Sequence, residues 1–313
     1  MKIKFDFDRS AVLVEKEYEF IRKANVDIIL KTDPKYPPIL KEIYRAPLGL
    51  YVKGDIDTFN QGTNIAIIGS RKASAYGKLA CEKIINGFCG YNINVVSGLG
   101  IGIDSCAHVS ALKNNLKTLA FIGSGFNFFY PSANKVLSEK IIECGGAIVS
   151  EYPINTKPEK YYFVARNRLI SGISKAVLIV EAREKSGTMI TAKFAEEQNR
   201  DILAIPNTIF DQNSQGTNRL IKDGATLIRS SDDVLQELGL DKKTDFSENL
   251  FCQKLSENQR KILALFDESN HLDVDFICEK TSLDISEIMA ELTILELEGI
   301  IKQTENNCYT KTS

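Results

Sequence analysis

Tyr161, Tyr162 and Phe163 stand just ahead of Arg166, Asn167 and Arg168. Flat rings offer stacking surfaces to bases and guanidinium groups hold phosphates, the two contacts that a single nucleic-acid strand requires. The competing reading is plain: two rings belong to a core and one arginine to an internal ion pair. Two positions apart at a helix start, Arg166 and Arg168 cannot share one helix face. One is therefore expected to face a ligand and the other to brace the surrounding loops.

Four glycine-containing segments point the same way. They are Gly69-Ser70-Arg71; Ser97-Gly98 running on to Asp104; Gly123-Ser124-Gly125, which leads to Tyr130-Pro131 and Lys135; and Lys185-Ser186-Gly187-Thr188. Glycine lets backbone amides approach an anion closely, and a helix N-terminus adds unpaired N–H groups and a favourable dipole. Serine and threonine add hydroxyl donors. Any one such loop is read more simply as a tight turn; four make phosphate binding the favoured chemistry. Arg71 projects where those amides converge, so it needs a partner, either a phosphate or an internal carboxylate.

Other chemistries find little support. There is no G-x-x-x-x-G-K-[ST] segment, and Gly98, Gly100 and Gly102 lack the dinucleotide spacing. The only histidines are His108 and His271. His108, within IDSCAHVSAL, reads as a hydrogen-bonded packing residue, and Asp104 as a cap or an organiser of loops. The seven cysteines are scattered and never spaced C-x-x-C, which argues against a disulfide framework or a zinc ribbon. No catalytic residue, metal or cofactor is expected.

The elements that must position these residues follow from the pattern. From Asn64 to about Leu240, apolar runs (NIAIIG, NINVVSG, KTLAFIG, GAIVSEYP, KAVLIVEA, DILAIPN) alternate with amphipathic stretches. That rhythm predicts an α/β fold, an extended Rossmann-like parallel sheet whose glycine loops share one edge. Residues 1–60 read as a small N-terminal cap packed on the sheet, 61–240 as the main domain, 241–250 as a polar linker and 251–313 as a winged-helix module closed by a small hairpin. The net charge of -2 hides an asymmetry, because residues 251–313 carry six basic against twelve acidic side chains while the first 250 residues are mildly basic. The third helix of the tail carries Glu287, Glu291, Glu296 and Glu298 and no basic residue before Lys302. Acid repels phosphate, so the C-terminal module is expected to bind protein or its own chain, and the strand to lie on the sheet's edge. Neither a signal sequence nor an apolar run of membrane-spanning length is evident, so a cytoplasmic location is expected.

In order along the chain stand GSR, SGLGIGIDSCAH, GSGFNFFYPSAN, SEYP, FVARNR, IVEA, SGTMIT and NRLIKDGA. In these the sequence resembles the DNA processing protein A (DprA, or Smf) family, from about Asp33 to Leu240 and more loosely in the tail. Gly100, Ser132, Val164 and Asn207 depart from the family pattern. The resemblance implies a homodimer that binds single-stranded DNA, protects incoming DNA and loads the RecA recombinase in natural transformation. It implies DNA contacts at Arg71, Gly123 to Gly125, Phe163, Arg166, Asn167, Arg168 and Ser186 to Thr188, and dimer contacts at Ile221 and Leu227. Ser70, Ser97, Gly98, Lys135 and Lys185 join the candidate DNA contacts by position. The alternative is an enzyme like the nucleoside-monophosphate phosphoribohydrolases, whose P-G-G-x-G-T-x-x-E loop places a glutamate where this chain has Thr191.

Overall fold

The computed structural model describes residues 7–240, 256–266, 272–281, 283–297, 301–303 and 308–311. The chain divides into two compact units, Met1–Lys242 and Lys243–Ser313. The linker expected at 241–250 lies outside the described residues.

In the first unit the apolar runs form strands β3 (Thr63–Ile68), β4 (Ile93–Ser97), β5 (Lys117–Ile122), β6 (Ala147–Ser150), β7 (Ala176–Ile179) and β8 (Asp201–Ala204). Their central positions are apolar on both sides because both sheet faces are covered. Ala66 and Ile68 of β3 enter one core, Ile65 and Ile67 the other. Helices α6 (Lys160–Ile173) and α7 (Gly187–Glu197) close the first face through Leu169, Ile173, Ala192 and Ala195. Helices α3 (Ala75–Asn86), α4 (Ile103–Lys113) and α9 (Ser231–Glu237) close the second through Ile84, Ala107 and Val234. Helix α5 (Lys135–Glu143) lies against β5 and β6 through Ile141.

The sheet has nine strands in the order β1-β2-β6-β5-β4-β3-β7-β8-β9, where β1 is Asp27–Leu30, β2 is Gly49–Gly54 and β9 is Thr226–Leu227. The N-terminal segment expected as a cap thus adds two strands to the sheet. Residues of β2 pair antiparallel with β6, Tyr51 opposite Ser150, and β1 pairs antiparallel with β2. The reason is the bare edge that β6 would otherwise present, a row of unpaired amides and carbonyls. Helix α1 (Phe7–Ala24) is tied on by Glu17, whose carboxylate accepts the Ile154 N–H at 2.7 Å, and the short helix α2 (Pro38–Lys41) buries Leu40 in the first core.

Strand order reverses at β3: β4, β5 and β6 follow on one side, β7, β8 and β9 on the other. The connections after β3 and β7 leave to opposite faces, and such a reversal opens a crevice at the carboxyl edge.

The second unit packs α10 (Glu257–Leu265), α11 (Val274–Thr281) and α12 (Ile285–Leu297) on a small sheet of order β10-β12-β11 (Leu272–Asp273, Cys308–Lys311, Ile301–Gln303). Its core holds Ile262, Phe266, Ile277, Ile288, Leu292, Ile301 and Tyr309. Three helices followed by a hairpin make the expected winged helix. Among the described residues no helix is long and apolar enough to cross a membrane.

Candidate nucleic-acid interface

The four glycine loops meet at the reversal and are tied into one body. Ser70 O accepts the Ile103 N–H at 3.1 Å, which joins the first loop to the second. The Thr188 hydroxyl donates to Gly69 O at 3.1 Å, which joins the fourth to the first. The buried Ser97 hydroxyl donates to Ile67 O at 2.7 Å, so this side chain faces inward. Gly102 has φ of 87° and stands so close to Ser70 O and Arg71 that a side chain would collide; glycine is required there for both reasons.

Helix α6 is the brace. Arg166 is only 5% exposed and gives hydrogen bonds to Gly98 O (2.8 Å), Phe121 O and Asn167 Oδ1 (3.1 Å). Burial lowers its guanidinium to about 10, opposed by the Asp104 carboxylate, so it remains charged at neutral pH. Burial raises the Asp104 carboxyl above its usual range against the pull of Arg166 and of the Gly100 amide. Arg168 donates from Nη2 to both carboxylate oxygens of Glu151, at 2.5 and 2.6 Å. Asn167 reaches Gly187 O through its amide at 3.4 Å. The expectation that one arginine faces a ligand thus meets a structure in which both are committed to protein. The reason is local: α6 enters over the ends of β4 and β5, where carbonyls of Gly98 and Phe121 need donors.

Among the described residues Arg71 is an open cation of this crevice. It is exposed, forms no ion pair among the described residues, and lies over the Phe163 ring at 5.8 Å. Phe163 in turn meets the half-exposed Tyr130 ring at 5.4 Å, tilted by 58°. Gly123 is the floor of this stack, because a side chain there would strike the Phe163 ring and backbone. Gly123, Ser124 and Gly125 are buried, and the Gly125 N–H is given to Thr156 O at 2.8 Å. This third loop therefore supports a ring where anion contact is expected of it. Lys135 opens α5 and is exposed, as is Lys185.

Two helix N-termini in the crevice differ sharply. At α3, Ser74 caps the Gly77 amide at 3.0 Å, while the fully buried Glu181 accepts the Ser74 N–H at 3.0 Å and its hydroxyl. Gly77 leaves the room that the carboxylate fills. The place where a nucleotide phosphate rests in a dinucleotide-binding fold is thus taken by the chain's own anion. At α7 no side chain caps the helix: the Ser186 hydroxyl turns back to Arg183 O at 2.9 Å, and nothing lies within 4 Å of where a Gly187 side chain would be. The first-turn amides of α7 are therefore left without a side-chain cap, and they stand with Arg71 as positive groups of the crevice that no carboxylate side chain neutralises, whereas Arg166 and Arg168 face Asp104 and Glu151.

Glu181 and Tyr130 escape the reading of residues as contacts. The signal for Glu181 is a carboxylate closing an otherwise apolar strand run; for Tyr130 it is an aromatic beside proline after a glycine loop. His108 is buried, with Nδ1 2.7 Å from the Thr118 hydroxyl, which itself donates to Val95 O, so Nδ1 carries the proton. Burial lowers His108 to about 3 and keeps it neutral. Thr191, where the alternative enzyme needs an acid, is buried within α7. Ile221 is half-buried on α8 (Gln215–Lys222), and Leu227 is 41% exposed on β9, the last strand of the sheet.

Two family models match the chain, DNA recombination-mediator protein A over residues 27–239 and the DprA winged helix domain over 253–307. The DNA processing protein DprA of Streptococcus pneumoniae is 43% identical over 205 residues, 66% of this chain and 72% of the relative. Protein Smf of Escherichia coli is 35% identical over 300 residues, 92% and 78% of the two chains. The crystal structure of the S. pneumoniae protein superposes with a TM-score of 0.65 at 39% identity, covering 72% of this chain and 81% of that one. A structure of DNA processing protein A from Helicobacter pylori, described for its single-stranded-DNA binding mode, gives 0.60 at 29% identity over 68% and 95%. The chain belongs to the DNA recombination-mediator protein A family, the DprA or Smf proteins.

Proposed function

We propose that this chain binds single-stranded DNA at the carboxyl edge of its large sheet, protects the strand, and passes it to the RecA recombinase during natural transformation. The observation that carries the reading is Arg71, a cation with no carboxylate partner, set over the Phe163 ring beside the uncapped N-terminus of α7. An exposed guanidinium and uncapped amides take phosphates, and Phe163 with Tyr130 takes bases. The self-filled α3 terminus speaks for a polymeric ligand over a nucleotide cofactor, and for binding over hydrolysis. The H. pylori relative's described binding mode supports the same ligand.

Arg166, Asn167, Arg168, Ser97, Gly98 and Gly123 to Gly125 then act by holding the contact groups, and Ser70, Arg71, Phe163, Lys185 and Ser186 to Thr188 by touching DNA, with Lys135 at its margin. Ile221 and the exposed Leu227 on an edge strand support a homodimer through that edge. The exposed Ile285, Met289 and Ile294 on α12, interspersed with Glu287, Glu291 and Glu296, support a protein partner for the C-terminal module; Glu298 lies outside the described residues.

The test is a titration of oligothymidylate at several salt concentrations. The affinity is expected to fall steeply with salt, and Arg71→Ala to weaken binding of all sequences alike while flattening the salt slope by about one. Salt-insensitive binding, or equal affinity in the variant, would overturn the assignment.

A further inference from the structure

The loop after β5 holds four aromatic residues, and they divide by face. Phe126 and Phe129 turn into the cores beneath, whereas Phe128 (37% exposed) and Tyr130 (46%) face solvent. Tyr130 is already part of the Arg71 and Phe163 stack. Phe128 carries its own cation: Lys157 Nζ lies 5.7 Å from the ring centroid. Lys157 is exposed and forms no ion pair among the described residues. The arrangement of ring and cation in the crevice is thus repeated two residues away.

The repeat is held rigidly. The Gly125 N–H binds Thr156 O at 2.8 Å, the Asn127 N–H binds Ile154 O at 3.0 Å, and the Asn127 side-chain amide binds Asn155 Oδ1 at 2.7 Å. These bonds fasten the loop carrying Phe128 to the segment carrying Lys157. Two residues of chain span at most about 7 Å, the scale of one step along an extended nucleotide strand. The charged side chains flanking both segments are Lys135, Lys157 and Lys160 against Glu159, Glu151 and Glu17, of which Glu151 is paired with Arg168 and Glu17 is held on the Ile154 N–H, while Lys157 stands over the ring without an ion pair among the described residues.

We infer that Phe128 and Lys157 form a second stacking step for single-stranded DNA, receiving the strand as it leaves the Arg71, Phe163 and Tyr130 crevice across the ends of β5 and β6. This rests on the single-strand reading above and gives the bound strand its direction of exit. The ring takes a base face, which every base presents, and the ammonium takes the adjoining phosphate.

The experiment compares oligothymidylates of about 4 and about 20 nucleotides on the full chain. Phe128→Ala, a change on a solvent-facing ring, is expected to weaken the long strand by about tenfold and leave the short one unchanged, with Phe128→Tyr restoring affinity. Lys157→Gln is expected to lower the salt slope by about one for the long strand only. A long strand with abasic positions beyond the first few nucleotides is expected to bind wild type and Phe128→Ala equally. Equal binding of the all-base long strand by wild type and Phe128→Ala, or a continued loss on the abasic strand, would overturn the second step. Failure of Arg71→Ala to weaken either strand would instead overturn the crevice itself, so the two ideas fail separately.

Discussion

The carboxyl edge of the large sheet and helix α12 of the winged helix are both places where nucleic acid is met in other folds, and here they carry opposite chemistry. At the edge a guanidinium without an ion pair covers a ring beside helix amides that no side chain caps. On α12 the carboxylates of Glu291 and Glu296 are occupied by Ser256 (2.9 Å) and by the Gln303 N–H (3.1 Å), and Glu287 is exposed. A winged-helix fold therefore does not imply a DNA-reading helix; the sign of the exposed side chains decides.

Among the supports of the edge, Arg166 is the one whose loss is expected to cost most. Arg166→Met leaves Gly98 O and Phe121 O without their donor and Asp104 without its cation. A loss of about 3–5 kcal/mol in folding stability is expected, read as a lowered denaturation midpoint, together with loss of DNA binding. An unchanged midpoint would show that the brace is dispensable. Arg71→Ala touches no internal partner except the Phe163 ring, so stability should hold while single-strand affinity falls by about 1.5–3 kcal/mol. Loss of fold in that variant would place Arg71 with the braces.

A pH experiment sharpens the same divide between supports and contacts. His108 titrates near 3 when folded and at its ordinary value of 6.5 when unfolded. Between these values the unfolded chain binds the extra proton, so stability is full above about 6.5 and falls as pH drops toward 3. The expected loss is about 2 kcal/mol between pH 7 and pH 5. His108→Asn, which keeps a donor toward Thr118, should remove that portion of the pH dependence in denaturation curves. A variant with the wild-type slope would assign the dependence elsewhere. The smallest effect is expected from deleting residues 251–313, which should change single-strand affinity by less than about twofold because that unit presents acid. A tenfold loss would move DNA binding onto the tail.

Much of the scaffold was legible from sequence. Runs such as IAII and VLIV, apolar at every position, announce strands covered on both faces, and glycine directly after IAII, NVVS and LAFI announces the shared edge. The N-terminal pair of strands was not legible, because DIIL and GLYVKG are short and their place depends on the open side of β6. In the site, Arg71 and Phe163 stood out by type and spacing. The fate of Arg166 and Arg168 did not, since it depends on carbonyls of Gly98 and Phe121 and on Glu151, groups set beside α6 only by the fold. Glu181 was hidden for a similar reason: only the approach of α3, permitted by Gly77, turns a strand-end carboxylate into a plug for a helix terminus.

Whether the strand lies on the sheet's carboxyl edge or on the winged helix is decided by photocrosslinking oligothymidylate to the full chain and locating the adducts by mass spectrometry. Adducts on the segments holding Tyr130 and Phe163, lost in Arg71→Ala, are the predicted result. Adducts concentrated between Ile285 and Gln303, and unaffected by Arg71→Ala, would contradict it.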